Sequence, residues 1–129
     1  MVFEVGGGKI QSSSDLVKKE IIKPWGSYST YEKNDSYLVK RITVKPKQRL
    51  SLQSHEHRSE FWVVTHGTAL VTIENEEISL NKGEHIQIQK KQKHRLSNEN
   101  DTDLEIVEIQ FGSTLDEEDI IRYHDDFGR

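Results

Sequence analysis

The 129-residue chain contains no cysteine, so neither a disulfide framework nor a thiolate metal site is open to it. It has no long apolar run and no charged-then-apolar leader. Neither a membrane span nor a signal peptide is therefore expected, and the cytoplasm is the default compartment. A basic excess is also missing: the formal net charge is −4, which argues against a nucleic-acid partner while leaving room for an anionic ligand held by local arginines. The run Gly6-Gly7-Gly8-Lys9 lacks the spaced Gly-Lys-Ser/Thr ending of a phosphate loop and reads as part of a flexible arm. No internal repeat, linker or low-complexity tract is seen, and the length suits one domain with a single core, without room for a second catalytic domain.

What is present is a strand-dense middle. Residues 37–44, 50–55, 60–64, 69–74, 77–80, 85–88 and 104–111 are short runs rich in β-branched and apolar residues. Pro46, Gly67, Asn75, Asn81-Lys82-Gly83 and residues 98–103 punctuate them as hairpin turns. Many short antiparallel strands without a long helical period predict an all-β sandwich or barrel. Residues 1–22 read as an N-terminal arm with a brief amphipathic piece from Leu16 to Ile22, residues 23–129 as the domain, and a short helix or turn is expected after Asp116.

The candidate chemistry lies in Gln53-x-His55-x4-Glu60 and a later His94. A strand repeats its side-chain direction every second residue, so Gln53 and His55 project to one face. Residues 56–59 are polar and fit a tight connection, after which Glu60 opens the apolar run Phe61-Trp62-Val63-Val64. If that hairpin folds back, Glu60 lies near His55, and His94 completes a set of two imidazole nitrogens and two oxygens. Such a set suits one borderline divalent cation, zinc first, with manganese, cobalt, iron and nickel as alternatives. The other histidines, His66, His85 and His124, read as surface or hydrogen-bonding residues.

The two halves, Gln53-x-His55-x4-Glu60-x6-Gly67 and Gly83-x10-His94-x3-Asn98, resemble the paired motifs of the cupin superfamily, with Gln53 replacing the first histidine of the usual His-x-His. Within it, the runs Lys23-Pro24-Trp25-Gly26-Ser27-Tyr28, Leu50 to Val64 and Glu118 to Arg129 are similar to the type II mannose-6-phosphate isomerase domain, usually the C-terminal part of bifunctional enzymes with a mannose-1-phosphate guanylyltransferase. The Leu-Ser-x-Gln-x-His run also resembles the metal-binding segment of type I mannose-6-phosphate isomerases. The departures fall on turns: Lys47 stands where cupins usually have glycine, Gln89 and Lys91 where they carry proline and glycine, and Thr114 and Asp116 precede the acidic tail in place of an aromatic and a glycine.

The resemblance implies a cupin jelly-roll β-barrel, or double-stranded β-helix, with an N-terminal arm and a short C-terminal tail. It implies a stand-alone enzyme interconverting mannose 6-phosphate and fructose 6-phosphate, with the metal polarising the carbonyl and a positioned base moving the proton. His57, a non-ligating carboxylate or Lys40 could be that base. Arg58, matching an arginine of the type II domain, is expected to bind phosphate or stabilise negative charge, and His57 and Arg58 together are the expected catalytic pair. Lys40, Arg49, Ser51, Arg95 and Arg122 are candidates for holding the phosphate, and the Gly128-Arg129 ending for part of a lid. Other classes are a non-catalytic sugar-phosphate or sugar-nucleotide binding cupin, and a metal cupin of different chemistry such as an oxygenase or epimerase. A homodimer is expected, since small cupins pair through sheet faces or swapped arms.

Overall fold

The computed structural model describes residues 19–128. The glycine run and most of the expected arm lie outside them, as does Arg129. The described residues form eleven strands and no helix: β1 (Glu20–Lys23), β2 (Gly26–Lys33), β3 (Tyr37–Val44), β4 (Leu52–Ser54), β5 (Arg58–His66), β6 (Ala69–Ile73), β7 (Glu76–Leu80), β8 (His85–Ile88), β9 (His94–Ser97), β10 (Leu104–Gly112) and β11 (Ile121–His124). All pairings are antiparallel, in a six-stranded sheet of order β1-β2-β3-β10-β5-β8 and a five-stranded sheet of order β11-β4-β9-β6-β7. This is the double-stranded β-helix expected for a cupin. Strand β1 straddles the boundary expected between arm and domain.

Period-two alternation sets the inside of the barrel. Along β5, Arg58, Glu60, Trp62 and Val64 are buried while Ser59, Phe61, Val63 and Thr65 are half-buried on the outer face. Strand β10 repeats this with Leu104, Ile106, Glu108 and Gln110 inside, and β3 with Leu38, Lys40, Ile42 and Val44. Cross-strand register then sorts the interior by depth. Ile106 sits opposite both Ile42 and Val64, whereas Glu108 sits opposite both Lys40 and Trp62, and Gln110 opposite Glu60.

One end of the barrel is therefore apolar, built on Val44, Val64, Val71, Leu96, Leu104 and Ile106, and its burial drives folding at ~25 cal/mol per Å². The other end buries ionisable side chains, Lys40, His55, Arg58, Glu60, His94 and Glu108. Buried charges persist only where they are paired or meet a cation, so the polar end is where a function should be sought. Packing behind it is tight: a Cβ at Gly112, which pairs with Arg58, would lie 2.3 Å from the His57 carbonyl oxygen, so only glycine fits there.

Candidate metal centre

Three strands and a turn assemble the donors. His55 follows β4, Glu60 points inward from β5, and His94 opens β9 opposite Gln53. Together His55, Glu60 and His94 offer ligand atoms all within 4.8 Å of one another, and all three are buried. The His55 Nε2 is 3.2 Å from Glu60 Oε2 and the His94 Nε2 is 3.8 Å from Glu60 Oε1.

Main-chain carbonyls fix the imidazole tautomers. His55 Nδ1–H donates to the Asp119 carbonyl at 2.6 Å, and His94 Nδ1–H donates to the Gln92 carbonyl at 2.9 Å. Both Nε2 lone pairs thus face the carboxylate, the arrangement by which metal-ligating histidines are oriented. Burial, reinforced by the Arg58 guanidinium, depresses His55 to about 4 against the pull of the Asp119 carbonyl. Burial likewise holds His94 below the usual imidazole range, against the Gln92 carbonyl and Glu108. The rings are therefore neutral near pH 7 and ready to ligate, and their contacts with Glu60 are not ion pairs.

Lone pairs converging on a carboxylate with no proton between them call for a positive charge. In this structure Arg58 supplies it, Nε donating to Glu60 Oε2 at 2.8 Å and Nη2 to His55 Nε2 at 3.2 Å. Two neutral imidazoles and one carboxylate, all buried, fit a divalent cation by the chemistry of the donor set. Gln53 lines the same cleft, its amide nitrogen donating to Ser51 Oγ at 3.1 Å.

Around the donors, Trp62 Nε1 donates to both Glu60 Oε1 at 2.9 Å and Glu108 Oε2 at 3.0 Å, and Gln110 Nε2 to Glu108 Oε1 at 2.9 Å. Burial, then the Glu60 carboxylate, pushes Glu108 up to about 7. The alternation of residues 104–111 carried the signal for this pair, since Glu108 and Gln110 share the parity of Leu104 and Ile106. Sequence reasoning also passed over Asp119, whose carboxylate accepts the main-chain N–H groups of Glu56 and His57, both at 3.0 Å. No sequence signal marks it within the acidic tail.

The donors open into a cleft of about 100 Å³ lined by Lys40, Ser51, Gln53, Arg58, Glu60, His94, Glu108, Glu117 and Arg122, with Trp25 and Tyr28 on its apolar side. Lys40, Ser51 and Arg122, three of the residues expected to hold a phosphate, all line this cleft. Arg49 does not: it makes a two-pronged pair with Asp126 at 2.7 and 3.0 Å beside another cleft. Arg95 donates to the Leu50 carbonyl and to His124. His57 is exposed in the β4–β5 turn and does not line the cleft, whereas Arg58 lies at its heart. Two lining residues, Trp25 and Arg58, bury N–H donors, Nε1 and Nη1, that have no partner among the described residues.

A family model described as mannose-6-phosphate isomerase C-terminal matches residues 11–125. The mannose-1-phosphate guanylyltransferase of Escherichia coli (strain K12) is 44% identical over 113 residues, covering 88% of this chain and 24% of that protein. The alginate biosynthesis protein AlgA of Pseudomonas aeruginosa (strain PAO1) is 46% identical over 110 residues, covering 85% of this chain and 23% of that protein. The chain spans about a quarter of the length of these curated relatives. Among solved structures, an uncharacterized conserved protein with a double-stranded β-helix domain from Klebsiella pneumoniae matches with a TM-score of 0.68 at 17% identity, covering 92% of this chain and 99% of that one.

These findings correct the expectation of an enzyme that interconverts mannose 6-phosphate and fructose 6-phosphate. Relatives at 44–46% identity bear the names of a guanylyltransferase and an alginate biosynthesis protein, not of an isomerase, although the matching family model is isomerase-like. The physical reason is that the motifs behind that expectation fix a fold and a donor set, and neither of these fixes a reaction.

Proposed function

The chain belongs to the mannose-6-phosphate isomerase C-terminal family, and from that membership we propose that it is a cation-holding, sugar-phosphate-binding cupin unit serving mannose-phosphate metabolism in polysaccharide synthesis. The relatives named for mannose-1-phosphate guanylyltransferase and alginate biosynthesis support the setting. One observation carries the reading: Glu60 and His94, two of the three clustered donors, line a cleft with Lys40 and Arg122 and with two buried N–H donors that lack acceptors among the described residues. A cation on the donors, together with a ligand rich in oxygen and bearing negative charge, satisfies all of them at once.

His55, Glu60 and His94 would hold the ion, with Gln53 as the added oxygen donor; zinc suits this set best. When bound, the ion supplies Lewis-acid contacts to sugar oxygens. Lys40, Ser51 and Arg122 receive the phosphate, and Arg58 holds the Glu60 carboxylate in place. Calorimetric titration of the zinc-loaded chain with mannose 6-phosphate, mannose 1-phosphate and mannose tests this. Metal-dependent binding of a phosphorylated sugar is expected, and no binding with zinc, manganese or cobalt would end the proposal.

The homodimer belongs to the same proposal. Its support is an apolar row on the outer face of the six-stranded sheet, where Ile109 pairs with Val39 and Phe61, and Val107 with Val63. Light scattering should report twice the chain mass, reduced to one chain by Ile109→Glu.

A further inference from the structure

Lys40 is a nearly buried ammonium with an occupied face. Its side chain is 6% exposed, and its Nζ donates to Glu117 Oε2 at 2.9 Å while lying 4.2 Å from the centre of the Tyr28 ring. Glu117 comes from the loop between β10 and β11, and its own side chain is 58% exposed. It reaches into the cleft from outside, 77 residues along the chain from its partner.

The loop is pinned on both sides of Glu117. Leu115 is buried, and Asp119 is tied to the Glu56 and His57 N–H groups and to His55. Only Asp116, Glu117 and Glu118 are exposed between these anchors, so the Glu117 side chain can leave Lys40 without unzipping the fold. The free space in the cleft, about 100 Å³, is below the ~300–1,000 Å³ usual for small-molecule sites. A ligand of ordinary small-molecule size exceeds that space and must move something, and the exposed carboxylate is the cheapest group to move.

We propose that Lys40 is the anion subsite of the cleft and that Glu117 is its resident occupant, a carboxylate that exchanges with the phosphate of an incoming sugar phosphate. The inference rests on the sugar-phosphate reading for its natural ligand, though the subsite itself recognises a phosphate dianion. Glu117 mimics that group: two oxygens, negative charge, and a hydrogen bond accepted from Nζ. Burial favours its neutral form, but the Lys40 charge and hydrogen bond, aided by Arg58, outweigh this and hold its carboxyl below the usual range. The carboxylate therefore competes at neutral pH.

The test uses Glu117→Gln, with Glu118→Gln as a neighbour that removes the same charge outside the cleft. Inorganic phosphate is titrated into the metal-free full chain while the Lys40 side chain is followed by NMR, and mannose 6-phosphate into the zinc-loaded chain by calorimetry. Glu117→Gln should tighten both by roughly twofold to fivefold, the scale of a partly screened ion pair, while Glu118→Gln changes neither. Equal affinities in wild type and Glu117→Gln, or phosphate that leaves Lys40 unperturbed, overturn the subsite even where mannose 6-phosphate binds. If Glu117→Gln tightens inorganic phosphate while mannose 6-phosphate binds no better than phosphate, the subsite stands and the sugar reading falls.

Discussion

Arg58→Met removes the positive charge that the buried donors now face while keeping an unbranched apolar side chain of similar reach. The Arg58 side chain is 7% exposed and that of Glu60 1%, so the substitution strands a buried carboxylate, a change that costs about 3–5 kcal/mol. Two features lower this. Trp62 Nε1 still donates to Glu60 Oε1 at 2.9 Å, and the variant also loses Arg58 Nη1, a buried donor without a partner among the described residues, whose desolvation costs ~1–3 kcal/mol. The net expectation is a loss of roughly 2 kcal/mol in the metal-free protein, a fall in Tm on the order of 10 °C. A divalent ion supplies the missing charge, and a ligand at 100-fold over its Kd contributes ~2.7 kcal/mol, so zinc should restore most of the loss. Differential scanning calorimetry with and without zinc reads both numbers. A metal-free variant as stable as wild type, or a zinc-induced rise no larger than that of wild type, would refute the reasoning that these donors require a cation.

Lys47 and Lys91 adopt φ of 62° and 68°, a left-handed conformation costing ~1–2 kcal/mol for a side-chain-bearing residue, against which glycine gives back ~0.5–1 kcal/mol of chain entropy. Lys91→Gly should thus raise stability by roughly 0.5–1 kcal/mol in denaturant melts, and a destabilised variant would contradict this. Asp119→Ala releases the turn carrying His55 and should weaken zinc about tenfold by competition with a chelator, at the low end for groups that orient a metal ligand; unchanged affinity means that the tail does not position His55. The Glu117–Lys40 pair predicts a pH signature. Glu117 lies below its ordinary 4.5 when folded, so its contribution is fully present above pH 4.5 and is lost as the pH falls through the lowered folded value. The Tm difference between wild type and Glu117→Gln should accordingly shrink below pH 4.5, and a difference that grows there would be inconsistent with the pairing.

The sequence disclosed those parts of the molecule that follow from parity and spacing. Strand β3 appears with the expected bounds, and His55, Glu60 and His94 converge as the two motifs implied. Strands β2 and β11 escaped because neither has an apolar stripe: Gly26–Lys33 is rich in serine and tyrosine, and Ile121–His124 is exposed throughout. Their partners, β1 and β3 for one and β4 for the other, make them strands. Strand β9 is buried at all four positions, so no alternation marked it. The departures at Lys47 and Lys91 left the backbone in the conformation that glycine favours, and in this the resemblance was a better guide than residue identity. The tail's roles at Lys40 and His55 come from contacts 64 to 77 residues apart, beyond any local pattern, and the reaction expected from the resemblance did not survive comparison with the chain's relatives.

Metal content measured by mass spectrometry, after reconstitution with zinc and removal of excess, bears most directly on the site. Wild type should retain one ion per chain, and His94→Ala, folded by circular dichroism, close to none. Equal metal in the two proteins, or none in wild type, would contradict a centre built on His55, Glu60 and His94.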